Sequence, residues 1–149
     1  MSAITYQKQT AKTADIESHL LNCDAFFKPK LSSYVNIHEY SDKISKKAIT
    51  FEAWHLNTLI GLVAVYYNKK EAYITNVSVI DTYVGIGIAK KLLLQAIEKA
   101  IKYNSTKMSL IVHKNNTNAL LFYKKIGFKA TTQESMTINM FYNLEITNG

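Results

Sequence analysis

The sequence contains no arginine; all 18 basic side chains are lysine. That removes the planar fork that reads guanine edges and clamps phosphate or carboxylate in two places. Anions are left to point charges and to backbone groups. Cysteine occurs once, at Cys23, so no internal disulfide can form. A reducing, cytoplasmic setting is expected, with Cys23 a small buried hydrophobe on a helix. One proline and five glycines are too few for a collagen-like or low-complexity chain. Long apolar runs are also missing. The longest, Leu59 to Tyr67, is interrupted by Gly61 and falls well short of the ~20 residues of a spanning helix. Met1 to Thr5 shows no basic region followed by an apolar one, which predicts no signal peptide. His19, His38, His55 and His113 have no ligand spacing to one another or to Cys23, and no Gly-x-Ser-x-Gly elbow is present. No metal site is expected.

What is present reads as a single globular domain over residues 1–149, with 48% hydrophobic and 19% charged residues. Ala3–Gln9 is a candidate first strand. Thr13 is a candidate N-cap for a helix reaching about Asp24, with Ile16, Leu20 and Leu21 on one face. Phe26–Ser33 holds the proline and reads as a loop. Ile37, Tyr40 and Ile44 predict a second helix over Val35–Lys47. Ala48–Leu56, Leu59–Asn68 and Ala72–Ile80 then read as three antiparallel strands, the first pair joined by a turn at Asn57-Thr58. A strong helix follows Gly85 and Gly87, with Ala89, Leu92, Leu93, Ala96, Ile97, Ala100 and Ile101 on one face. Lys107–His113 is a strand. Ala119, Phe122, Tyr123 and Ile126 mark a fourth helix, closed by Gly127. Phe128–Thr132 and Thr137–Ile146 are the final strands. The class is mixed α+β, in the order β-α-α-β-β-β-α-β-α-β-β.

The strand-to-helix passage Val79 to Lys90 holds the clearest chemistry. Small residues permit close backbone approach, and the first helical N–H groups lack intrahelical partners, so an anion such as a pyrophosphate can be held there. Glycine at a helix start also occurs for conformational reasons alone. A dinucleotide fingerprint would need Gly or Ala where Lys90 stands, and a P-loop would need Gly-Lys-Ser/Thr; neither fits.

Val84-Gly85-Ile86-Gly87-Ile88-Ala89 resembles the Gln/Arg-x-x-Gly-x-Gly/Ala core of motif A in the GNAT superfamily of N-acetyltransferases. Asn116 to Phe128 resembles that family's motif B, Asn-x-x-Ala-x-x-Phe/Leu-Tyr-x-Lys-x-Gly-Phe. The resemblance covers roughly residues 49–129. It implies a mostly antiparallel central sheet of about seven strands with about four helices. It also implies acetyl-CoA as cofactor, with direct transfer of the acetyl group to a primary amine in a ternary complex. Val84 stands where the family has Gln or Arg, and Asp81 where proline is frequent.

By the same resemblance Tyr123 aligns with the tyrosine that protonates the leaving sulfur, and Asn116 with a cofactor-contacting asparagine that is also a candidate N-cap. Val77, Ser78 and Val79 would line the pantetheine arm, with Val79 N–H donating to the thioester oxygen. Val84, Gly85, Ile86, Gly87, Ile88 and Ala89 would hold the pyrophosphate. Lys90 and Lys91 either face cofactor phosphates or are solvated. No carboxylate stands on the strand Met108 to His113, so the general base is open among Glu52, Glu39, His38, Glu134 and a water chain along Thr75, Asn76 and Ser78. Phe27, Tyr34, Tyr40, Glu52 and Asn76 are candidates for the acceptor pocket, while Trp54 reads as core.

Charge is unevenly distributed. Residues 1–75 carry nine lysines against seven acids, whereas residues 90–129 carry nine against Glu98 alone. The excess sits in the two motif segments, where a polyanionic cofactor would bind. Two other readings remain at this level: an acyl-CoA-binding domain of the same fold without turnover, and a basic nucleic-acid module, which the missing arginine disfavours. The resemblance implies a small-molecule or peptide amine as acceptor, and a monomer or a homodimer is expected.

Overall fold

The computed structural model describes residues 3–145. Met1 and Ser2 lie outside the described residues, as does Ile146 of the expected last strand. Seven strands and four α-helices follow the expected order. They are β1 (Thr5–Lys8), α1 (Thr13–Cys23), α2 (Ile37–Lys47), β2 (Ile49–His55), β3 (Thr58–Tyr67), β4 (Glu71–Val79), α3 (Ile88–Lys102), β5 (Lys107–His113), α4 (Thr117–Ile126), β6 (Lys129–Gln133) and β7 (Thr137–Asn143). The sheet runs β1-β2-β3-β4-β5-β7-β6, and every neighbouring pair is antiparallel except β4–β5. Among the described residues no helix is long and apolar enough to cross a membrane.

The sheet is covered on both faces. Ile16 and Leu20 of α1 and Ile37 and Ile44 of α2 pack with Leu59, Leu62 and Ala64 on one side. Ile88, Leu92, Leu93, Ala96, Ile97 and Ala100 of α3 pack with Phe51, Ala53, Val63 and Val65 on the other, and Tyr123 of α4 joins the same cluster. Cys23 is buried, as its residue type predicts.

Several local expectations shift. The N-cap of α1 is Lys12 rather than Thr13, and its backbone N–H is received by Asp15 Oδ2 at 2.9 Å. Thr13 instead donates its hydroxyl to Asp42 Oδ1 of α2. Leu21 and Ile101 point outward, 57% and 46% exposed, because each lies at the margin of its helix's apolar stripe. The β2–β3 turn is Leu56-Asn57, with φ of 57° and 76°, and His55 pairs with Thr58. Two positive φ values suit the right-handed twist of a tight hairpin, and the register moves by one residue. The Phe26–Ser33 loop contains part of one short 3₁₀ turn, Asp24–Phe26, and all of another, Leu31–Ser33.

Two irregularities of β4 position the site. Ala64 pairs with Asn76 and Val65 with Ile74, so Thr75 is an extra residue bulged out of the ladder. The bulge reverses the facing: Ile74 lies on the α3 side, and after the bulge so do Val77 and Val79, while Asn76 and Ser78 turn toward α1. In addition, β4 pairs with β5 only over Glu71–Tyr73 and Lys107–Ser109. Beyond those residues the two parallel strands separate and leave a wedge in the sheet.

Candidate active site

At the mouth of the wedge, β4 runs into a 3₁₀ turn, Asp81–Tyr83, and then into Val84-Gly85-Ile86-Gly87. Tyr83 Oη lies 2.6 Å from His55 Nδ1, which ties this turn to the end of β2. Gly85 and Gly87 have φ of 91° and 86°, a conformation that L side chains rarely adopt. A Cβ at either would meet nothing within 4 Å, so the glycines serve the backbone turn and leave open space above it. Lys91 N–H makes the first helical bond, to Gly87 O at 3.1 Å. The N–H groups of Ile88, Ala89 and Lys90 precede it and have no intrahelical acceptor. Ile88 is 2% exposed and fixes this end of α3 by packing against Gly61. Val84 and Ile86 are exposed, and Lys90 extends into solvent. Lys91 is turned away, with its Nζ 3.9 Å from the centre of the Tyr6 ring.

Along β4, Ile80 N–H donates to Ile60 O of β3 at 2.8 Å. Backbone direction alternates along a strand, so the groups of Ser78 also face β3, and those of Val77 and Val79 face the wedge. No strand receives them there, because β5 has already diverged.

The wedge opens into a cavity of about 600 Å³ that passes between the two faces of the sheet. Val77, Leu110, Asn116, Ala119 and Tyr123 line it toward α4. Phe27, Pro29, Tyr34, Tyr40 and Asn76 line it toward the α1–α2 segment. Of the five residues read from sequence as acceptor contacts, Phe27, Tyr34, Tyr40 and Asn76 therefore meet at one cavity. Glu52 does not line it. It lies under the β1–α1 connection, where it accepts from Thr10 N–H, Thr10 Oγ1, Ala11 N–H, Thr50 Oγ1 and Trp54 Nε1 at 2.5–3.1 Å. Burial pushes its pKa up, yet these donors outweigh that and hold it below the usual value. Its role is to join β1, β2 and α1. A lone carboxylate in a strand looks the same in sequence whether it faces a ligand or five protein donors.

Tyr123 is 8% exposed, with Phe122 and Phe128 edge-on at 5.3 and 5.7 Å between ring centres. Burial raises its pKa well above that of a free phenol. Asn116 caps α4, its Oδ1 accepting from Ala119 N–H at 3.3 Å, and it also lines the cavity. Tyr40 donates its hydroxyl to Thr75 O at 2.7 Å, so the bulged residue is anchored from α2. The other base candidates stand elsewhere. His38 is exposed and paired with Glu17 at 2.8 Å, and neither Glu39 nor Glu134 lines the cavity.

Sequence reading missed Pro29, Tyr73, Ile111, His113 and Thr137 as cavity residues. For Ile111 and His113 a signal existed. Met108, Leu110 and Val112 form the buried face of β5, so the alternate residues had to face the other way. It also missed His19, which is 1% exposed, with Nδ1 2.8 Å from Leu59 O and Nε2 2.8 Å from Ser78 Oγ. Burial lowers the His19 pKa to about 4 and raises that of Cys23, 3.7 Å away, to about 12. Neither ionises near neutrality, so this Cys–His pair is not a nucleophile. Among the described residues no group of three or more His, Cys, Asp or Glu side chains is placed to hold a metal.

The sequence profile of the Acetyltransferase (GNAT) family matches residues 14–128. No curated protein shows significant similarity to the chain. Several solved structures share the fold. The PaiA N-acetyltransferase from Thermoplasma acidophilum, in complex with coenzyme A, is 18% identical with a TM-score of 0.73, over 93% of this chain and 99% of that one. The ribosomal-protein-S18-alanine N-acetyltransferase from Escherichia coli is 16% identical with a TM-score of 0.72, over 99% and 97%. A GNAT family acetyltransferase from Elizabethkingia anophelis, with acetyl-CoA bound, is 22% identical with a TM-score of 0.72, over 94% and 97%.

Proposed function

Because the chain belongs to the acetyltransferase (GNAT) family, we propose that it is an acetyl-CoA-dependent N-acetyltransferase acting on a primary amine. The observation that carries this reading is a cavity lined by Val77, Asn116 and Tyr123 where β4 has parted from β5, on the strand that leads into the glycine loop at the start of α3. The residues present fit the cofactor. The unpartnered N–H groups of Ile88, Ala89 and Lys90 would receive the pyrophosphate, in space that no Cβ occupies. Backbone groups of Val77 and Val79 would pair with the amides of the pantetheine arm, as an added strand pairs with a sheet edge. Acetyl-CoA supplies an acyl group activated as a thioester. Val79 N–H would hold the carbonyl oxygen as negative charge develops on it. The amine nitrogen would attack that carbonyl, the C–N bond forming as the C–S bond breaks. Tyr123, kept protonated by burial, would give its proton to the departing sulfur, and the proton lost by the nitrogen would pass through cavity water and restore the phenol. With Val84 in place of the family's Gln or Arg, the phosphate would be held by backbone N–H groups without help from that side chain.

Calorimetric titration with coenzyme A, and mass spectrometry of an amine panel incubated with acetyl-CoA, test the reading together. Saturable binding with acetyl transfer is expected. No binding at millimolar coenzyme A would sink it. Binding without transfer to any amine would favour the acyl-CoA-binding alternative, which is motivated by the absence of Asp and Glu among the described residues lining the cavity.

A further inference from the structure

The buried groups behind the cavity fix the direction of one side chain in it. Asn76 and Ser78 are each 7% exposed, and Ser78 Oγ lies 2.7 Å from the Asn76 carboxamide oxygen and 2.8 Å from His19 Nε2. Followed proton by proton from the far end, this chain has one consistent arrangement. Leu59 O can only accept, so His19 carries its proton on Nδ1. With a pKa of about 4 the ring is neutral, and Nε2 is a bare lone pair. Ser78 Oγ is close enough to supply that lone pair, and a hydroxyl has a single proton to give. Its remaining capacity toward Asn76 is as an acceptor. A carboxamide oxygen there would set two acceptors against each other at 2.7 Å. The amide therefore turns its Nδ2–H to Ser78 and its Oδ1 toward the cavity on the side of the Tyr40 hydroxyl, a half-rotation that leaves the heavy-atom positions almost unchanged. The opposite direction would require a buried imidazolium with no carboxylate in contact or, with Cys23 Sγ–H at 3.7 Å supplying Nε2, two lone pairs facing each other across 2.8 Å between Nε2 and Ser78 Oγ. The β4 bulge contributes as well, since without it Asn76 would face α3.

The walls around that oxygen have a definite chemistry. Phe27, Pro29, Tyr34, Tyr40 and Tyr73 supply flat apolar surface, Lys28 stands among them, and no Asp or Glu is among the described lining residues. A ligand carrying several ammonium groups would meet a lysine and no counter-charge, at a desolvation cost offset only by the aromatic ring faces. A single amine on a flat apolar body meets ring faces and, beside the neutral polar groups of Thr75, His113, Asn116 and Thr137, one acceptor whose direction is fixed from behind. A neutral acceptor in such surroundings also favours the uncharged, nucleophilic form of the amine.

Resting on the acetyltransferase reading above, we propose that Asn76 Oδ1 is the positioning group for the acceptor nitrogen. Its orientation is set by the buried His19–Ser78 chain, and the acceptor is a monoamine with an aromatic or apolar body rather than a polyamine or a polycationic amino sugar.

The test uses phenethylamine and spermidine as probes with the full chain and acetyl-CoA. Wild type is expected to favour phenethylamine in kcat/KM by at least about tenfold. Asn76→Leu should raise the KM for phenethylamine about tenfold, the scale of one lost hydrogen bond, with kcat little changed and coenzyme A affinity retained. Asn76→Asp, which returns an oxygen bearing a charge, should recover binding and move preference toward spermidine. A readout independent of activity is ¹⁵N NMR of the histidines, which should find His19 as the neutral Nδ1–H tautomer at pH 7. Preference for spermidine in wild type, an unchanged KM in Asn76→Leu, or a His19 ring protonated on Nε2 would each overturn the proposal. Coenzyme A binding with transfer to no monoamine overturns it too, while leaving the cofactor site intact. Failure to bind coenzyme A removes the acetyltransferase reading itself, and the proposal with it.

Discussion

At Tyr123, burial does two things: it aligns the ring between Phe122 and Phe128 and it holds the proton on the hydroxyl. A raised pKa means that the neutral acid persists above the usual phenol value of about 10. The rate should therefore show no alkaline fall from this group up to about pH 10. Tyr123→Phe keeps the packing and removes the proton. Its kcat should drop about a hundredfold, the lower range for a lost general acid, with coenzyme A affinity unchanged in calorimetry. An unaltered kcat between pH 7 and 9 would mean that sulfur leaves without this residue. Glu52 is the opposite case, a buried charge with no part in the chemistry. Its folded pKa is depressed by five donors despite burial. Its contribution to stability is thus present above the unfolded carboxylate value of about 4.3 and is lost as pH falls through the folded pKa. Glu52→Gln should lose about 3 kcal/mol at pH 7, since donors placed for two oxygens then meet an amide nitrogen. Urea melts at pH 7 and pH 3 check this: the gap between variant and wild type should narrow in acid.

Among the elements, α3 packs tightly on β3 at Gly61, where a Cβ would come 2.6 Å from Ile88 Cγ2 and 3.3 Å from Ala53 Cβ. Ile88 is the first residue of the helix whose free N–H groups are proposed to receive the pyrophosphate. Gly61→Ala should therefore cost about 1–3 kcal/mol by overpacking. It should also weaken coenzyme A binding, because relief of the clash lifts the start of α3. A melting temperature lowered without any change in coenzyme A affinity would separate the loop from the helix seat. The helices and strands themselves were legible in the sequence, because Leu92, Leu93, Ala96, Ile97 and Ala100 keep a helical period in α3 and Met108, Leu110 and Val112 alternate in β5. The features that make the site were not. The bulge at Thr75 and the parting of β4 from β5 arise from how strands pair, and pairing leaves no mark on the pattern of one strand. The Leu56-Asn57 turn was misread by one residue because leucine is an unusual occupant of a positive φ. Motif B located Tyr123 and Asn116, whereas the His19–Ser78–Asn76 chain joins residues 59 positions apart and becomes visible only when α1 lies across β4.

For the molecule as a whole, the net charge of +7 resolves into committed and free lysines. Between residues 90 and 129 stand nine lysines and one acid. Lys102 pairs with Glu98 at 3.8 Å and Lys107 with Glu71 at 3.5 Å, and Lys91 and Lys99 lie over the rings of Tyr6 and Tyr103. Lys90, Lys114, Lys124, Lys125 and Lys129 have no such partner among the described residues, so their field acts on whatever approaches α3 and α4. Every one of these side chains is a point charge in solvent, since the chain has no arginine fork to lock a phosphate in place. Attraction of that kind is screened over about 10 Å at 0.1 M salt and over about 3 Å at 1 M. Coenzyme A should accordingly bind several-fold more weakly at 0.5 M than at 0.05 M sodium chloride, mainly through a slower association rate. Pantetheine, which lacks the phosphates but can make the same contacts to β4, should show almost no change. Stopped-flow titration of both ligands reads the difference directly. Equal salt sensitivity for the two would mean that the lysine excess serves solubility, and that the backbone N–H groups at the start of α3 recognise the pyrophosphate unaided.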